Sequence, residues 1–133
     1  MHETENVQLI RQLYDSMSRG NLDAALALMT EDVTFVVPGP PGCGAAGTWR
    51  GHAGVRDCFR TLREAQDTRT LEIREFVAER NKVVAVLYVE ATVRATGHLF
   101  ASDIVHLFTI RDGRIASLLD FFDTAGLVDA NRA

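Results

Sequence analysis

Two titratable side chains stand among apolar neighbours in the last third of the chain. His106 lies between Val105 and Leu107, and strand alternation puts Ile104, His106, Phe108 and Ile110 on one face. Asp120 lies in the run Leu118-Leu119-Asp120-Phe121-Phe122. A histidine desolvated in such a strand is favoured in its neutral form, ready to exchange a proton. An unpaired carboxylate there would be costly, so Asp120 needs a partner, and His106 is a candidate. Together they would make a histidine–carboxylate couple suited to general acid–base work. Each also has a plain structural reading: a core histidine hydrogen-bonded to a neighbour, and a carboxylate held in an ion pair.

Whether the two meet is a question of register. If Asp112-Gly113 is a two-residue turn, position 111 pairs with 114, and His106 and Asp120 point to opposite faces. If Arg111-Asp112-Gly113 is a three-residue loop with Gly113 left-handed, position 110 pairs with 114. His106 then opposes Leu118 and lies diagonal to Asp120 on the same face, within reach of long side chains.

Other signatures of chemistry are missing. The sequence has no nucleophile elbow, no GxGxxG and no P-loop. The histidines, at 2, 52, 98 and 106, have no metal-ligand spacing, and Cys43 and Cys58 form no CxxC pair. No metal and no cofactor are therefore expected. Tyr14 belongs to an apolar helical stripe and reads as a packing residue. Trp49, the single tryptophan, follows a Gly/Pro-rich stretch, where it would wall a pocket mouth or pin that loop. The alternating series Glu90, Thr92, Arg94 reads as a solvated or interface face.

The elements that must position these groups follow from the periodicity. Val7, Ile10, Leu13, Tyr14 and Met17 fall at helical spacing behind Thr4 as N-cap. Asn21 caps a second short helix carrying Leu22, Ala25, Leu26 and Met29. Thr34 to Val37 is β-prone and stops at Pro38. Residues 38–47 hold all three prolines and four of the ten glycines and must be a loop, with a functional role or as a tolerated surface insertion. A third helix spans Gly51 to Glu64, burying Val55, Cys58, Phe59 and Leu62. Four strand-like segments follow: Thr70 to Ala78, Val83 to Ala95, Leu99 to Ile110 and Ile115 to Phe122. Turn residues sit at their joints. Helices first and a meander second is an α+β pattern. The expectation is three N-terminal helices packed on a strongly curved, mainly antiparallel sheet, a cone with one internal pocket, in a single domain over 1–133.

Composition narrows the partners. The chain has 133 residues, 47% of them hydrophobic, with 14 Lys+Arg against 18 Asp+Glu. That apolar content is that of a packed globule. A net charge of −4 with a single lysine, Lys82, argues against a nucleic-acid backbone as partner. No apolar run approaches a membrane span, and the acidic, polar N-terminus is no signal peptide, so a cytoplasmic protein with reduced thiols is expected. Both faces of the last two segments are largely apolar, where a sheet with one solvated face alternates more cleanly. A second copy of the chain is the expected cover, giving a homodimer through the outer sheet face.

Three stretches carry a resemblance: LIRQLYDSMSRGNLDAALALMTEDVTFVVPG from Leu9, TWRGHAGVRDCF from Thr48 and HLFTIRDGRIASLLDFFD from His106. Together they resemble the SnoaL-like branch of the nuclear transport factor 2-like superfamily, which includes polyketide cyclases, ketosteroid isomerases and limonene-epoxide hydrolases. The resemblance covers nearly the whole chain and is specific for the fold, which hosts many chemistries. It implies that Asp120 stands where SnoaL-like cyclases carry their acid–base aspartate and His106 on a pocket histidine, which favours the shared face and the three-residue loop. Tyr14 lies in the helix that carries the isomerases' catalytic tyrosine. The isomerase base would fall at Val37, and the epoxide hydrolases' Arg and second Asp near Leu87 and Val89, all apolar here. The cyclase pair is what remains. The expected function is acid–base catalysis on a lipophilic carbonyl compound, with Asp120 and His106 catalytic and Tyr14, Phe35, Trp49, Phe108, Leu118 and Phe122 shaping the pocket. The alternatives are a non-catalytic binder of a lipophilic ligand and a dimeric partner domain with a vestigial pocket.

Overall fold

The computed structural model describes residues 2–133. It begins with α1 (His2–Ser18) and α2 (Leu22–Ala27), continues through β1 (Met29–Val37), β2 (Gly47–Arg50) and α3 (Gly51–Ala65), and ends with β3 (Gln66–Glu79), β4 (Lys82–Val93), β5 (Leu99–Arg111), β6 (Arg114–Phe121) and α4 (Thr124–Ala130). The six strands form one curved, unclosed sheet in the order β2-β1-β6-β5-β4-β3. All neighbours are antiparallel except β1 and β6, which run parallel because the chain returns to β1 only after the whole meander. The α+β cone expected from the sequence is present.

Several local expectations are corrected. Among the described residues helices number four, because α4 adds a C-terminal one, whose seven residues offer little stripe to read. It is nucleated by Asp123, whose carboxylate accepts from Gly126 N–H at 2.9 Å. The four-residue β2 is likewise too short for alternation to register. Thr4 lies inside α1, whose first turn carries Glu3 and Glu5, suited to a helix N-terminus. Asn21 does cap α2, accepting from Ala24 N–H at 3.1 Å.

The most consequential correction is at the β5–β6 hairpin. Arg111 pairs with Arg114, so the turn has two residues, not three. Asp112 (φ 52°) and Gly113 (φ 73°) both take the left-handed conformation that such a turn demands. The register then shifts: Ile110 faces Ile115, but Thr109 faces Ser117, leaving Ala116 as an extra residue in β6. This β-bulge reverses the faces of everything beyond it. Phe108 opposes Leu118, and His106 opposes Asp120 directly. The two-residue turn and the shared face are therefore both present, a combination that turn length alone does not give.

The core lies between the helices and the concave face of the sheet. Strand β4 alternates strictly, burying Val83, Ala85, Leu87, Val89 and Ala91 against Ile10 and Leu13 of α1 and Met29, Val33 and Phe35 of β1. A second cluster joins Cys43 of the Gly/Pro loop to Val93, Phe100, Leu127 and Ala130. That loop is no loose insertion, since Cys43 and Ala45 are buried. Gly44 (φ 57°) passes so close to α4 that a Cβ there would lie 3.2 Å from Leu127 Cδ2. On the convex face, Leu119 and Phe121 of β6 and Val77 of β3 are exposed. They flank Leu107, Val105, Val84 and Val86 in adjacent register rows.

Leu127 ties loop and helix together. Leu127→Ala should lower stability in urea denaturation by about 2–4 kcal/mol, as for other buried leucine truncations. It should also speed proteolytic cleavage within residues 38–46 relative to the rest of the chain. Cleavage unchanged despite the lost stability would show that the loop holds its place without α4.

Candidate functional site

Inside the cone is a cavity of about 170 Å³. The bulge aims Asp120 of β6 into it, and β5 aims His106 beside it. From the opposite side α1 supplies Tyr14, because positions 10, 13, 14 and 17 of that helix fall on one face. Tyr14 Oη lies 2.7 Å from His106 Nδ1. The rings stack nearly parallel, centroids 5.9 Å apart, and Phe108 meets both edge-on. His106 Nε2 approaches Asp120 Oδ1 at 3.3 Å, an ion-pair distance, but off the line of a hydrogen bond. The buried Oδ1 is left without a hydrogen-bond partner.

Protonation follows from the surroundings. Burial raises the Tyr14 phenol well above its ordinary value, and the Asp120 charge adds to that. Tyr14 therefore keeps its hydroxyl proton and can donate it to His106 Nδ1, the direction across this bond being set by the imidazole tautomer. A neutral imidazole accepting at Nδ1 carries its hydrogen on Nε2, the atom facing Asp120. The three groups form a line, Tyr14–His106–Asp120, ending on a carboxylate oxygen with no donor. A buried acceptor left open in this way is an exception among folded proteins and a place for a ligand donor.

The rest of the wall is mostly apolar. Phe35, Leu118, Phe122 and Phe108, each expected from the sequence, line it. Trp49 does not. Its indole N–H donates to the Ala45 carbonyl at 2.9 Å, so it pins the Gly/Pro loop, and the loop itself closes the cavity through Gly44 and Ala45. Val37, Leu87 and Val89 all reach the cavity, so no further titratable group enters at those positions. Among the described residues no cluster of His, Cys, Asp and Glu is arranged to hold a metal ion.

Sequence reasoning missed Cys58. Its spacing places it in the buried stripe of α3, and nothing in a stripe separates residues facing core from residues facing a void. It lines the cavity, and burial together with the Asp120 charge pushes its thiol up to about 12. Tyr14's place was half legible: its helix face could be read, its partner could not.

The SnoaL-like domain family profile matches residues 10–118. An NTF2-like protein from Burkholderia xenovorans LB400 is similar in structure, with 31% identity, a TM-score of 0.90 and 98% of each chain covered. An NTF2-like protein of unknown function from Burkholderia pseudomallei shows 27% identity and a TM-score of 0.86 over 97% of this chain and 98% of that one. TerC, crystallised with polyporic acid, shows 28% identity and a TM-score of 0.86 over 97% and 99%. Comparison with curated proteins gives no match.

The raised thiol has a testable consequence. Cys58 deprotonates at about 12 when folded, against 9.0 for an ordinary thiol. The unfolded chain therefore loses this proton first, and the linked stability is intact below pH ~9 and declines between ~9 and ~12. The expected slope is about 1.4 kcal/mol per pH unit from this group. Urea denaturation from pH 8 to 11 should show the decline, and Cys58→Ala should make it shallower. Parallel curves for the two proteins would mean that Cys58 is not shielded as described.

Proposed function

We propose a function from one premise: the chain belongs to the SnoaL-like domain family. The cone is the binding site for a small, largely apolar molecule with an activated carbonyl, and its inner wall carries out acid–base chemistry on it. The observation that carries this reading is the Tyr14–His106–Asp120 line on a mostly apolar wall, ending at an open carboxylate oxygen.

Asp120 is the base. Its Oδ1 takes a proton from the carbon next to the carbonyl, forming a carboxylic acid and an enolate, and returns that proton at a later atom. His106 Nε2–H lies beside it and donates to the developing enolate oxygen, or orients Asp120. Fixed donors aimed at developing charge are the usual large term in such reactions. Tyr14 is a positioning residue: its hydrogen bond to Nδ1 fixes the tautomer that presents Nε2–H. The apolar wall excludes water and strengthens each of these interactions. Every step uses groups the chain itself supplies.

The test is proton exchange. Simple 1,3-dicarbonyl compounds, which carry an α-proton, are incubated with the protein in D₂O, and loss of the α-proton signal is followed by NMR. Asp120→Asn should slow protein-dependent exchange by about 10²–10⁴-fold, the usual contribution of a general base. Its circular dichroism should stay that of the parent. Tyr14→Phe should retain Asp120 chemistry with a smaller loss. Binding of these compounds without any exchange would instead favour a carrier or sensor of lipophilic ligands. Unfolding of Asp120→Asn would mark the residue as structural.

The chain is also proposed to be a homodimer through the convex sheet face. Leu119, Leu107, Val84 and Val36 form one apolar row there, and Phe121, Val105 and Val86 the next. Sedimentation equilibrium should give twice the 14.7 kDa chain mass. Leu119→Glu should give a monomer. A wild-type monomer at micromolar concentration would remove the proposal.

A further inference from the structure

A second cavity, of about 260 Å³, adjoins the first. The two share Met17, Phe59, Leu62, Gln66 and Thr68 as walls. The second adds Arg63 from the last turn of α3, Arg94 from the turn after β4, and Asp67 from β3. Arg63, Thr68 and Arg94 are exposed, so this cavity faces solvent. Arg94 is fixed in place: its Nε donates to the Arg63 carbonyl at 2.9 Å and its backbone N–H to the Ala65 carbonyl at 3.0 Å. Neither guanidinium forms an ion pair among the described residues. Asp67, by contrast, is engaged by Arg69 at 3.5 Å.

Three considerations say what this cavity takes. The cone alone, at about 170 Å³, matches the space that holds one benzene ring, about 150 Å³. Small-molecule sites usually run to roughly 300–1,000 Å³, a range the two cavities reach only together. The lining carries two guanidinium groups and one carboxylate, a net +1 in a chain of net −4. A singly charged oxyanion matches that balance better than a dianionic phosphate, and planar guanidinium forks suit a carboxylate. An anionic group could not sit in the cone itself, where it would meet Asp120 at low dielectric.

We propose that the second cavity anchors a ligand carboxylate between Arg63 and Arg94, while the ligand's apolar body passes Phe59 and Leu62 into the cone. The ligand class is an amphipathic carboxylic acid with its reactive carbonyl at the apolar end. This rests on the reading of the cone as the ligand site.

The test uses β-benzoylpropionic acid, an aryl ketone with a carboxylate at its far end, and its uncharged primary amide. Each is titrated into isotope-labelled protein, with the His106 imidazole signals reporting entry into the cone. Both compounds should shift those signals, and the acid should bind at least about tenfold more tightly than the amide. The preference should shrink with added salt. It should vanish in the Arg63→Gln/Arg94→Gln variant, with amide affinity unchanged. Arg63→Gln alone leaves the Arg63 carbonyl that Arg94 uses, and should remove part of the preference if the double variant fails to fold. Equal affinities for acid and amide, or a preference that survives both substitutions, overturns the anchor while the His106 shifts uphold the cone. No His106 shift with either compound overturns the cone reading and the anchor with it.

Discussion

One extra residue in β6 decides which way its second half faces. Without the bulge at Ala116, the two-residue turn at Asp112-Gly113 would carry Asp120 to the convex face and bring Leu119 and Phe121 inward. The cone would then gain these two apolar side chains and hold no carboxylate. With the bulge, Leu118 and Asp120 face inward and Leu119 and Phe121 outward. The bulge thus sets both surfaces at once: the polar wall of the cavity and the apolar rows of the convex face. It also sets the register with β1, where Phe35 lies beside Leu118.

The consequence inside the cone is electrostatic. Asp120 is the charge that Tyr14 and Cys58 both feel, and burial pushes both toward their protonated forms. The helix face that brings Tyr14 to the sheet therefore delivers a protonated hydroxyl to His106 Nδ1. Packing supports the pair: Phe108 meets both rings edge-on, and Phe76 packs against Tyr14 as well. The arrangement uses one helix, two strands and a bulge, each fixed by apolar contacts elsewhere in the core.

Much of this was legible in the sequence, for identifiable reasons. Long elements declare their period, so α1, α3 and the four meander strands were readable from Ile10, Leu13, Val55 or the alternation of β4. The short β2 and α4 were not, whereas the six-residue α2 was announced by its cap, Asn21. His106 and Asp120 stood out because polar residues in apolar strands need partners. Their pairing needed the position of the bulge, which leaves no trace in composition: Ala116 is an unremarkable residue between Ile115 and Ser117. Trp49 was visible as a loop-side aromatic, but which side of the loop it faced depended on β2. Cys58 and Arg94 were visible only as members of a stripe and a series. Their functional neighbours come from α1 and α3, distant in sequence.

The charge balance of the cone constrains the chemistry proposed for it. Abstraction of a carbon-bound proton by Asp120 leaves a neutral acid and an enolate, so the cavity holds one negative charge before and after the step. The charge only moves, from Oδ1 toward the ligand oxygen. In a low-dielectric cavity that is far cheaper than creating or removing charge. It requires that the other groups stay neutral and act as donors, and the upward shifts of Tyr14 and Cys58 meet that requirement. In the proposed reaction His106 Nε2–H, which makes no hydrogen bond to Oδ1 in the structure, donates to the ligand oxygen as the charge moves there. A wall with a second ionised carboxylate would hold two charges at once, and one with none would leave the proton to a neutral imidazole and so create a pair of charges. The single acid on this wall is the arrangement that lets a proton leave carbon while the net charge of the site stays constant.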